Sequence, residues 1–321
     1  MGYDVIGDIH GQAAKLEALL RLMGYAEQSG LWVPPAGRQA VFLGDLIDRG
    51  PEQVKVVDTV RRMVDAGYAR CVMGNHEFNA LGYATPVPGA EGGFLRRHCK
   101  KNTDQHAEFL RQVGWRSDLH QEMLGWFATL PPALDLGGIR VVHAWWHKPY
   151  VDIVRSGTGD RGVMSAPFLH AAHQKGTAEW DAMEGLTKGL EITLPPGYSF
   201  FDHTGVERFN IRTRWWLEAP GTYQDVALVG VGQEGCVPDI ALPAAYAGRP
   251  VEGPPVFVGH YWMQGQPVIE TPRLACLDWS EAKDGPLVAY RWDGEFDLTP
   301  RHLVWAGGSA SAELSQTKGG H

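Results

Sequence analysis

The chain has 321 residues, of which 44% are hydrophobic and 21% charged, the composition of an ordinary folded globular protein with one large domain or two modest ones. Lys and Arg together number 29 and Asp and Glu number 37, so the formal net charge is −8. Because nucleic acids and anionic membranes attract positively charged surfaces, this balance argues against stable binding to either partner.

The first 80 residues alternate short apolar runs with amphipathic segments. Three apolar runs predict buried strands at Tyr3–Ile6, Gln39–Leu43 and Ala69–Val72. Apolar residues recur at helical spacing over residues 16–23 and 54–64, so a helix is predicted after each of the first two strands. This alternation predicts an α/β fold whose sheet is mostly parallel and covered by helices.

Weaker patterns predict the elements of the remaining chain. These are helices at Asp104–Val113, Asp118–Thr129 and Pro167–Lys175, strands at Ile139–Val142, Phe209–Leu217 and Val256–Val258, and a closing hairpin of Leu274–Leu277 with Leu287–Trp292.

We expect one domain over residues 1–306, with insertions near 85–130 and 150–225 that cover the functional site. Residues 307–321 are rich in Gly and Ser and are expected to form a loosely attached tail.

Polar residues cluster where five of the predicted strands end. The clusters are Gly7-Asp8-Ile9-His10-Gly11, Gly44-Asp45-Leu46-Ile47-Asp48-Arg49-Gly50, Gly74-Asn75-His76-Glu77, Val142-His143-Ala144 and Gly259-His260-Tyr261. In open α/β sheets ligands bind beyond the carboxyl ends of the strands, so the five clusters are expected to converge on one face. Their glycines allow tight turns and a close approach of the backbone to a ligand.

The side chains in these clusters have the chemistry of a two-metal centre. Oxygen and nitrogen ligands without a thiolate suit Mn, Fe or Zn better than Ca or Mg. Two such ions about 3.5–4 Å apart need one shared carboxylate, and Asp45 is the predicted bridge. The other predicted ligands are Asp8 and His10 for the first ion, and Asn75, His143 and His260 for the second. A water or hydroxide held between the ions would be the nucleophile.

Three residues of the same clusters are predicted to act on the substrate without binding metal. Asp48 would orient the ring of His76 and hold it protonated, so that His76 donates a proton to the leaving oxygen. Arg49 carries a planar fork suited to two phosphoryl oxygens. The predicted substrate-binding residues are Arg49, Asn75 and one or both of Arg212 and Arg214.

The sequences GDIHG, GDLIDRG and GNHE, at residues 7–11, 44–50 and 74–77, resemble those of the calcineurin-like metallophosphoesterases, specifically the phosphoprotein phosphatase branch. The resemblance covers the first 80 residues closely and continues at His143 and His260. It implies a four-layer sandwich in which two mixed β-sheets are flanked by helices, with a dinuclear centre at the carboxyl ends of the strands. It also implies the residue roles given above.

The resemblance identifies the reaction better than the substrate. After His143 the chain reads Ala-Trp-Trp-His, where protein phosphatases usually have a glycine pair and dinucleotide hydrolases Ala-Gly. The Trp-Ser-Asp-Pro sequence typical of eukaryotic protein phosphatases is absent from the sequence, and Arg212-Thr213-Arg214-Trp215-Trp216 stands as its candidate replacement.

Three functions therefore remain open. The predicted one is hydrolysis of phosphate monoesters, as in Ser/Thr phosphatases, with two divalent ions as cofactors, Mn or else Fe or Zn. The second is hydrolysis of a dinucleoside polyphosphate such as diadenosine tetraphosphate, and the third is phosphate binding without catalysis. The expected partner is a phosphorylated protein or a nucleotide, and the sequence leaves the oligomeric state open.

The sequence also predicts a cytoplasmic location. No stretch approaches the roughly 20 apolar residues that span a bilayer, and Asp4 and Asp8 interrupt the first apolar run, so no signal peptide is predicted. The four cysteines are scattered without a CxxC pair, which is typical of reduced thiols.

Two further groups of residues have both a structural and a functional interpretation. Tryptophan side chains can stack on a nucleobase or pack in the core, and the candidates are Trp145, Trp146, Trp215, Trp216 and Trp262. A basic run can form a solvated face or guide a phosphorylated ligand, and it consists of Arg96, Arg97, Lys100 and Lys101.

Overall fold

The fold is described from a computed structural model. The described residues are 1–89, 92–159, 163–201, 206–230, 233–246, 251–279 and 285–307. The predicted loose tail therefore lies outside the described residues beyond Gly307. The single domain expected over residues 1–306 stays a prediction.

Short strands and helices alternate along the chain. The strands are β1 (Gly2–Ile6), β2 (Ala26–Gln28), β3 (Leu31–Val33), β4 (Arg38–Phe42), β5 (Ala69–Cys71), β6 (Ala133–Asp135), β7 (Arg140–Val142), β8 (Glu191–Thr193), β9 (Phe200–Phe201), β10 (Glu207–Arg208), β11 (Asn210–Thr213), β12 (Ala227–Leu228), β13 (Val256–Val258), β14 (Leu274–Cys276), β15 (Leu287–Trp292) and β16 (Leu303–Ala306). The helices are α1 (Ala13–Leu22), α2 (Gln53–Asp65), α3 (Asn75–Ala84), α4 (Lys100–Val113), α5 (Asp118–Phe127), α6 (Lys148–Thr158), α7 (Ala166–Ala172), α8 (Ala178–Lys188) and α9 (Tyr223–Val226). Among the described residues, no helix has the length and apolar character needed to cross a membrane.

Two mixed sheets form the centre of the molecule. The first has the order β16-β15-β1-β4-β5, in which β1, β4 and β5 are parallel and β15 pairs antiparallel with both β1 and β16. The second has the order β14-β13-β7-β6, in which β13 is parallel to β14 and β7, and β6 is antiparallel to β7. The predicted fold class, two mixed sheets flanked by helices, is confirmed.

The core lies on both sides of each sheet because successive side chains of a strand point to opposite faces. Val5 and Val41 of the first sheet and Val141 and Phe257 of the second belong to one buried cluster, which fills the space between the sheets. Ile6 and its neighbours on the opposite face pack in a second cluster with the apolar residues of the helices. The strands are therefore apolar on both faces, as the continuous apolar runs predict.

The predicted closing hairpin is wrong. Leu274–Cys276 pairs with β13 in the second sheet, whereas Leu287–Trp292 lies between β1 and β16 in the first sheet. Both segments are buried, and burial is what their apolar runs predict. An apolar run does not specify which strand will be its neighbour, and here the two runs pair in different sheets.

Helix α3 and the hairpin of β2 with β3 are elements that sequence patterns did not predict. Every residue from Asn75 to Tyr83 is buried, so the helix is surrounded by protein and lacks an amphipathic period. The β2–β3 hairpin pairs antiparallel over three residues on each side, from Ala26 opposite Val33 to Gln28 opposite Leu31.

The segment near 150–225 contains α6, α7, α8 and a small sheet of order β12-β11-β8. The strand predicted at Phe209–Leu217 is shorter, Asn210–Thr213, and the chain turns at Trp215 and Trp216, which are buried. The backbone N–H of Ala144 donates to the carbonyl of Leu186, so this segment is joined to the chain directly after His143.

Candidate metal centre

Five strands of the two sheets end beside one another at the candidate site. Asp8 and His10 follow β1, Asp45 and Asp48 follow β4, and Asn75 and His76 begin α3 after β5. From the second sheet, His143 follows β7 and His260 follows β13. The predicted convergence at the carboxyl ends of the strands is the arrangement found.

The loops that carry these side chains have strained backbone. His10, Asp45, Asp48, Arg49 and His260 all have positive φ, between 47° and 78°, which is uncommon for residues with a Cβ. Strain of this kind costs about 1–3 kcal/mol per residue and is typical of functional sites, where the surrounding structure enforces it.

A glycine is required where Asp8 meets the end of β13. A Cβ at Gly259 would lie only 2.0 Å from Asp8 Oδ1, so no larger residue fits without moving that carboxylate. The other carboxylate oxygen, Asp8 Oδ2, accepts a hydrogen bond of 3.0 Å from the backbone N–H of His260. The glycine in the fifth cluster therefore brings a residue of the second sheet against a carboxylate of the first.

Asp45 lies at the centre of the site. Its Oδ2 atom is 3.3 Å from His143 Nε2 and 3.7 Å from the Nε2 atoms of both His10 and His76. Its Oδ1 atom accepts a hydrogen bond of 3.0 Å from the backbone N–H of His76. One carboxylate oxygen thus lies near imidazoles from three segments, and two of these, His10 and His143, are the predicted ligands of different ions, as expected of a bridging ligand.

Two groups of side chains place their ligand atoms within 4.8 Å of one another. The first consists of His10, Asp45 and His76, and the second of Asp45, His143 and His260. Asn75 adjoins the second group, because its Oδ1 atom lies 2.8 Å from His260 Nδ1 and 3.2 Å from His143 Nε2.

The hydrogen bonds around the site fit metal ligation. His10 Nδ1 lies 2.8 Å from the Ile47 carbonyl and His143 Nδ1 lies 2.7 Å from the Leu43 carbonyl, so in each neutral ring Nδ1 carries the proton and Nε2 has a free lone pair. In the neutral form of His143 that a metal would require, Nε2 faces Asn75 Oδ1, another acceptor, at 3.2 Å. A cation between the two atoms would satisfy both.

Several buried ligand atoms of the site have no hydrogen-bond partner among the described residues. They are Asp8 Oδ1, His10 Nε2 and His260 Nε2. Burying polar atoms without partners is costly, and such groups call for a specific explanation. A pair of metal ions bound by these oxygen and nitrogen atoms would be such an explanation.

Electrostatic interactions differentiate the two central carboxylates. Burial raises the pKa of Asp45, but the imidazoles of His143 and His76 outweigh it and hold that pKa well below its usual range. Burial, together with repulsion from Asp278, raises the pKa of Asp8 well above its usual range. A cation bound beside Asp8 would favour its ionised form, so the apoprotein is electrostatically incomplete at this carboxylate.

Asp48 holds two imidazole rings at once. Its Oδ2 atom is 2.5 Å from His76 Nδ1 and its Oδ1 atom is 2.8 Å from His106 Nδ1. Burial lowers the pKa of His76, but Asp45 and Asp48 outweigh it and raise that pKa. The protonated ring that the sequence predicts for a proton donor is therefore favoured.

The guanidinium of Arg49 lies over an aromatic ring. Its Cζ atom is 4.1 Å from the centroid of the Trp262 ring, and the backbone N–H of Trp262 donates to Asp278 Oδ2 at 2.9 Å. A cation–π contact of this kind restricts the orientation of the guanidinium fork. The sequence left two interpretations of Trp262 open, stacking on a nucleobase and packing in the core. The structure adds a third, in which the Trp262 ring positions Arg49.

The two arginines predicted on β11 have different surroundings. Arg212 Nη1 is 3.5 Å from the carbonyl of His260, and its charge is one of the causes, after burial, that lower the pKa of His260. Arg214 instead donates from Nη2 to the carbonyl of Ala227 at 3.3 Å. Arg212 is therefore beside the candidate site, and no contact of Arg214 with the site residues is found in the described structure.

Glu77 and His106 are site residues that sequence reasoning missed. The carboxylate of Glu77 accepts from the backbone N–H groups of Asp45, Leu46 and Gly74, at 2.9, 2.8 and 3.0 Å, and so fixes the loop that carries the bridging carboxylate. The GNHE sequence contained this signal, because Glu at the third position of a helix is typical of a capping box. His106 lies on α4 and gave no such signal.

A family model described as "Calcineurin-like phosphoesterase" matches residues 1–203. A curated relative, the asymmetrical bis(5'-nucleosyl)-tetraphosphatase PrpE of Geobacillus thermodenitrificans, is 46% identical over 76 residues, which are 24% of this chain and 31% of the relative. The chain thus matches about a third of the length of that relative.

Solved structures resemble the chain over most of its length. A cold-active protein-tyrosine phosphatase of a psychrophilic Shewanella species is 16% identical, with coverage of 95% of this chain and 80% of the other and a TM-score of 0.46. A protein serine/threonine phosphatase from Saccharomyces cerevisiae is 14% identical, with coverage of 98% and 82% and a TM-score of 0.46.

Proposed function

The chain belongs to the calcineurin-like phosphoesterase family, and on that basis we propose that it hydrolyses phosphate esters at a centre of two divalent metal ions. The observation that carries this proposal is the position of Asp45 Oδ2 among three imidazole nitrogens. In the proposed centre Asp45 would hold both ions. The remaining proposed ligands are Asp8 and His10 for one ion, and Asn75, His143 and His260 for the other.

The ions, when bound, would lower the pKa of an attacking water and neutralise charge on the phosphoryl oxygens. The donor set of carboxylate, amide and imidazole suits Mn, with Fe or Zn as alternatives. No thiolate takes part, because the described structure holds all four cysteines as free thiols and none is among the clustered ligands.

His76 is the proposed proton donor to the leaving oxygen. Its Nδ1 atom is held by Asp48, which leaves Nε2 to act on the substrate. His76 also lies in the first group of potential metal ligands. However, Asp48 holds its ring at Nδ1 and the pKa of the ring is raised, so the ring is better suited to donate a proton than to bind a metal ion.

Charge on the phosphoryl group would be stabilised by Arg49 and Arg212. Arg49 presents a planar fork that the Trp262 ring orients, and Arg212 lies beside His260. Preorganised donors of this kind are worth more in a buried site than in water, because they need no reorganisation during the reaction. Arg214 is less well placed to bind the phosphoryl group, because its guanidinium contacts the carbonyl of Ala227.

The substrate class has two candidates. The first is a phosphate monoester, as in Ser/Thr phosphatases. The second is a dinucleoside tetraphosphate, which is favoured by the PrpE relatives, although they match only 76 residues of this chain. In either case the proposed partner is a phosphorylated protein or a nucleotide, in the cytoplasm.

Asp45→Asn tests the metal centre. The substitution removes the charge of the shared ligand, so we expect loss of turnover and of most bound metal. Metal content by mass spectrometry and hydrolysis of p-nitrophenyl phosphate measure the two effects. Asp65→Asn is the matched control, since its carboxylate is 65% exposed on α2. Full metal content and activity in Asp45→Asn would contradict the proposal.

A substrate panel decides between the two classes. Protein loaded in turn with Mn, Fe, Zn and Mg is given p-nitrophenyl phosphate, a phosphoserine peptide and diadenosine tetraphosphate. Faster hydrolysis of the peptide supports the monoesterase, and faster hydrolysis of the dinucleotide supports the alternative. No hydrolysis with any metal would leave phosphate binding without catalysis as the better description.

A further inference from the structure

A narrow crevice opens beside the proposed proton donor. It is lined by Asp48 and His106 and by residues of α3, α4 and the segment between them, including Asn79, Arg96 and Gln105. Gln105 Nε2 is 3.4 Å from His76 Nε2, the atom that would protonate the leaving oxygen. The crevice therefore adjoins the side of the site from which a leaving group would depart if His76 is the proton donor.

Arg96 is a cation without a carboxylate partner among the described residues. Its Nη1 donates to Asn79 Oδ1 at 2.8 Å and its Nη2 donates to Gln105 Oε1 at 3.0 Å. Both acceptors are neutral amides, so they fix the guanidinium without neutralising its charge. The backbone N–H of Arg96 is also held, by the carbonyl of Gly82 at 2.9 Å.

The surroundings of Arg96 make this arrangement costly. Partial burial lowers the pKa of the guanidinium, while the carboxylate that acts most strongly on it, Asp48, is already held by His76 and His106. A partly buried charge without a counterion destabilises the folded chain unless a ligand supplies one. A phosphoryl group fits, because arginine binds its oxygens through paired N–H donors.

Size restricts which part of a substrate can enter. The crevice is too narrow to admit a nucleobase as it stands, and its polar lining would favour an anionic group at its mouth over an aromatic ring. Tyr83 at its edge is already stacked on His98, with ring centroids 3.8 Å apart. The charge of Arg96 thus lies one residue, Gln105, away from the atom that would protonate the leaving oxygen.

We propose that Arg96, fixed by Asn79 and Gln105, binds the phosphoryl group that follows the leaving oxygen, and so favours phosphoanhydride substrates over simple monoesters. This inference rests on the proposed function, because it takes His76 as the donor to the leaving oxygen. It goes further by assigning a second phosphate subsite to the leaving-group side. Arg96 is a specificity residue in this proposal and not part of the metal centre.

Binding of a non-hydrolysable diphosphate tests the subsite without turnover. Calorimetry on Mn-loaded protein compares methylenebisphosphonate with inorganic phosphate. We expect the wild type to bind the bisphosphonate roughly tenfold more tightly or better, and Arg96→Gln to lose that advantage. Arg97→Gln, at the exposed neighbour of the same basic run, is the matched control and should keep it. Equal affinities in the wild type, or an advantage that persists in Arg96→Gln, would overturn the proposal.

Kinetics give a second measurement. The ratio of kcat/KM for diadenosine tetraphosphate to that for p-nitrophenyl phosphate should fall roughly tenfold or more in Arg96→Gln, and stay unchanged in Arg97→Gln. Arg96→Lys keeps the positive charge but loses the planar fork, so we expect an intermediate ratio of kcat/KM values. If Arg96→Gln does not fold, this ratio measured in Arg96→Lys tests the proposal instead. An unchanged ratio in both Arg96 variants contradicts the proposal. A protein that binds the bisphosphonate as expected but hydrolyses nothing would refute the proposed function alone.

Discussion

At the scale of single residues, the two contacts of Asp48 determine the state of His76. Each carboxylate oxygen of Asp48 is bonded to a different imidazole, His76 at 2.5 Å and His106 at 2.8 Å. Burial raises the pKa of Asp48, but these hydrogen bonds outweigh it and lower that pKa to about 2. An ionised Asp48 is the partner that a proton donor requires, because it stabilises the imidazolium form.

We expect His76→Asn to keep the metal ions and lose activity. Removing the proton donor should slow hydrolysis by roughly 10²–10⁴ for substrates with poor leaving groups, because only these need protonation as the bond breaks. Initial rates on phenyl phosphate and p-nitrophenyl phosphate, together with metal analysis, measure the effect.

The control for this substitution is His170→Asn, on α7 and outside both groups of potential ligands. Full activity of His76→Asn on phenyl phosphate would remove the proton-donor assignment. Loss of metal would instead make His76 a ligand of the first ion.

Most of the clustered side chains at this scale were predictable, and a few were not. Asp8, Asp45, Asn75 and His143 follow strands directly, so their residue type and position in the sequence carried the signal. His106 is 58 residues from Asp48 in sequence and reaches it only because α4 packs beside the site. Local sequence patterns contain no information on such a contact.

At the scale of elements, α5 contains a buried histidine that is kept neutral. His120 is fully buried, and its Nδ1 accepts a hydrogen bond of 3.1 Å from the backbone N–H of Arg116. Its Nε2 has no partner among the described residues. Burial, with a smaller contribution from His106, lowers the pKa of His120 to about 4.

This lowered pKa predicts a loss of stability in acid. Between the ordinary value of 6.5 and the folded value near 4, the unfolded chain binds a proton that the folded chain does not. The stabilisation is therefore present above pH 6.5 and is lost as the pH falls toward 4. From pH 7 to pH 5 this amounts to about 2 kcal/mol.

Urea unfolding at pH 7 and pH 5 measures the effect in the wild type and in His120→Gln. Gln keeps an acceptor for the backbone N–H of Arg116 and does not titrate. Between pH 7 and pH 5, the free energy of unfolding of the variant should therefore fall by about 2 kcal/mol less than that of the wild type. Every other titrating group is common to both proteins. Equal losses in the two proteins would show that His120 does not contribute.

At the scale of the whole molecule, the two sheets contact each other directly behind the site. A Cβ at Gly7, at the end of β1, would lie 2.0 Å from the backbone carbonyl oxygen of Leu277, just after β14. The first and second sheets therefore approach to backbone contact where their strands end. This contact keeps the loop with Asp8 beside the loop with His260.

We expect Gly7→Ala to destabilise the protein by about 1–3 kcal/mol or more, because a methyl group would force the sheets apart. Gly125→Ala is the matched control, since a Cβ at this exposed position in α5 meets nothing within 4 Å. In a helix interior that change should be neutral or stabilising by up to about 1 kcal/mol. Thermal unfolding compares them, and a Gly7→Ala protein as stable as the wild type would contradict the sheet contact.

The sequence by itself determined which segments become buried strands and which polar residues follow them, because apolar period and turn chemistry are properties of neighbouring residues. Tertiary structure decided the pairing of Leu287–Trp292 with β1, the ring of Trp262 under Arg49, and the crevice around Arg96. Each of these joins segments far apart in the chain. Their contacts depend on how whole elements pack, and no local pattern encodes that packing.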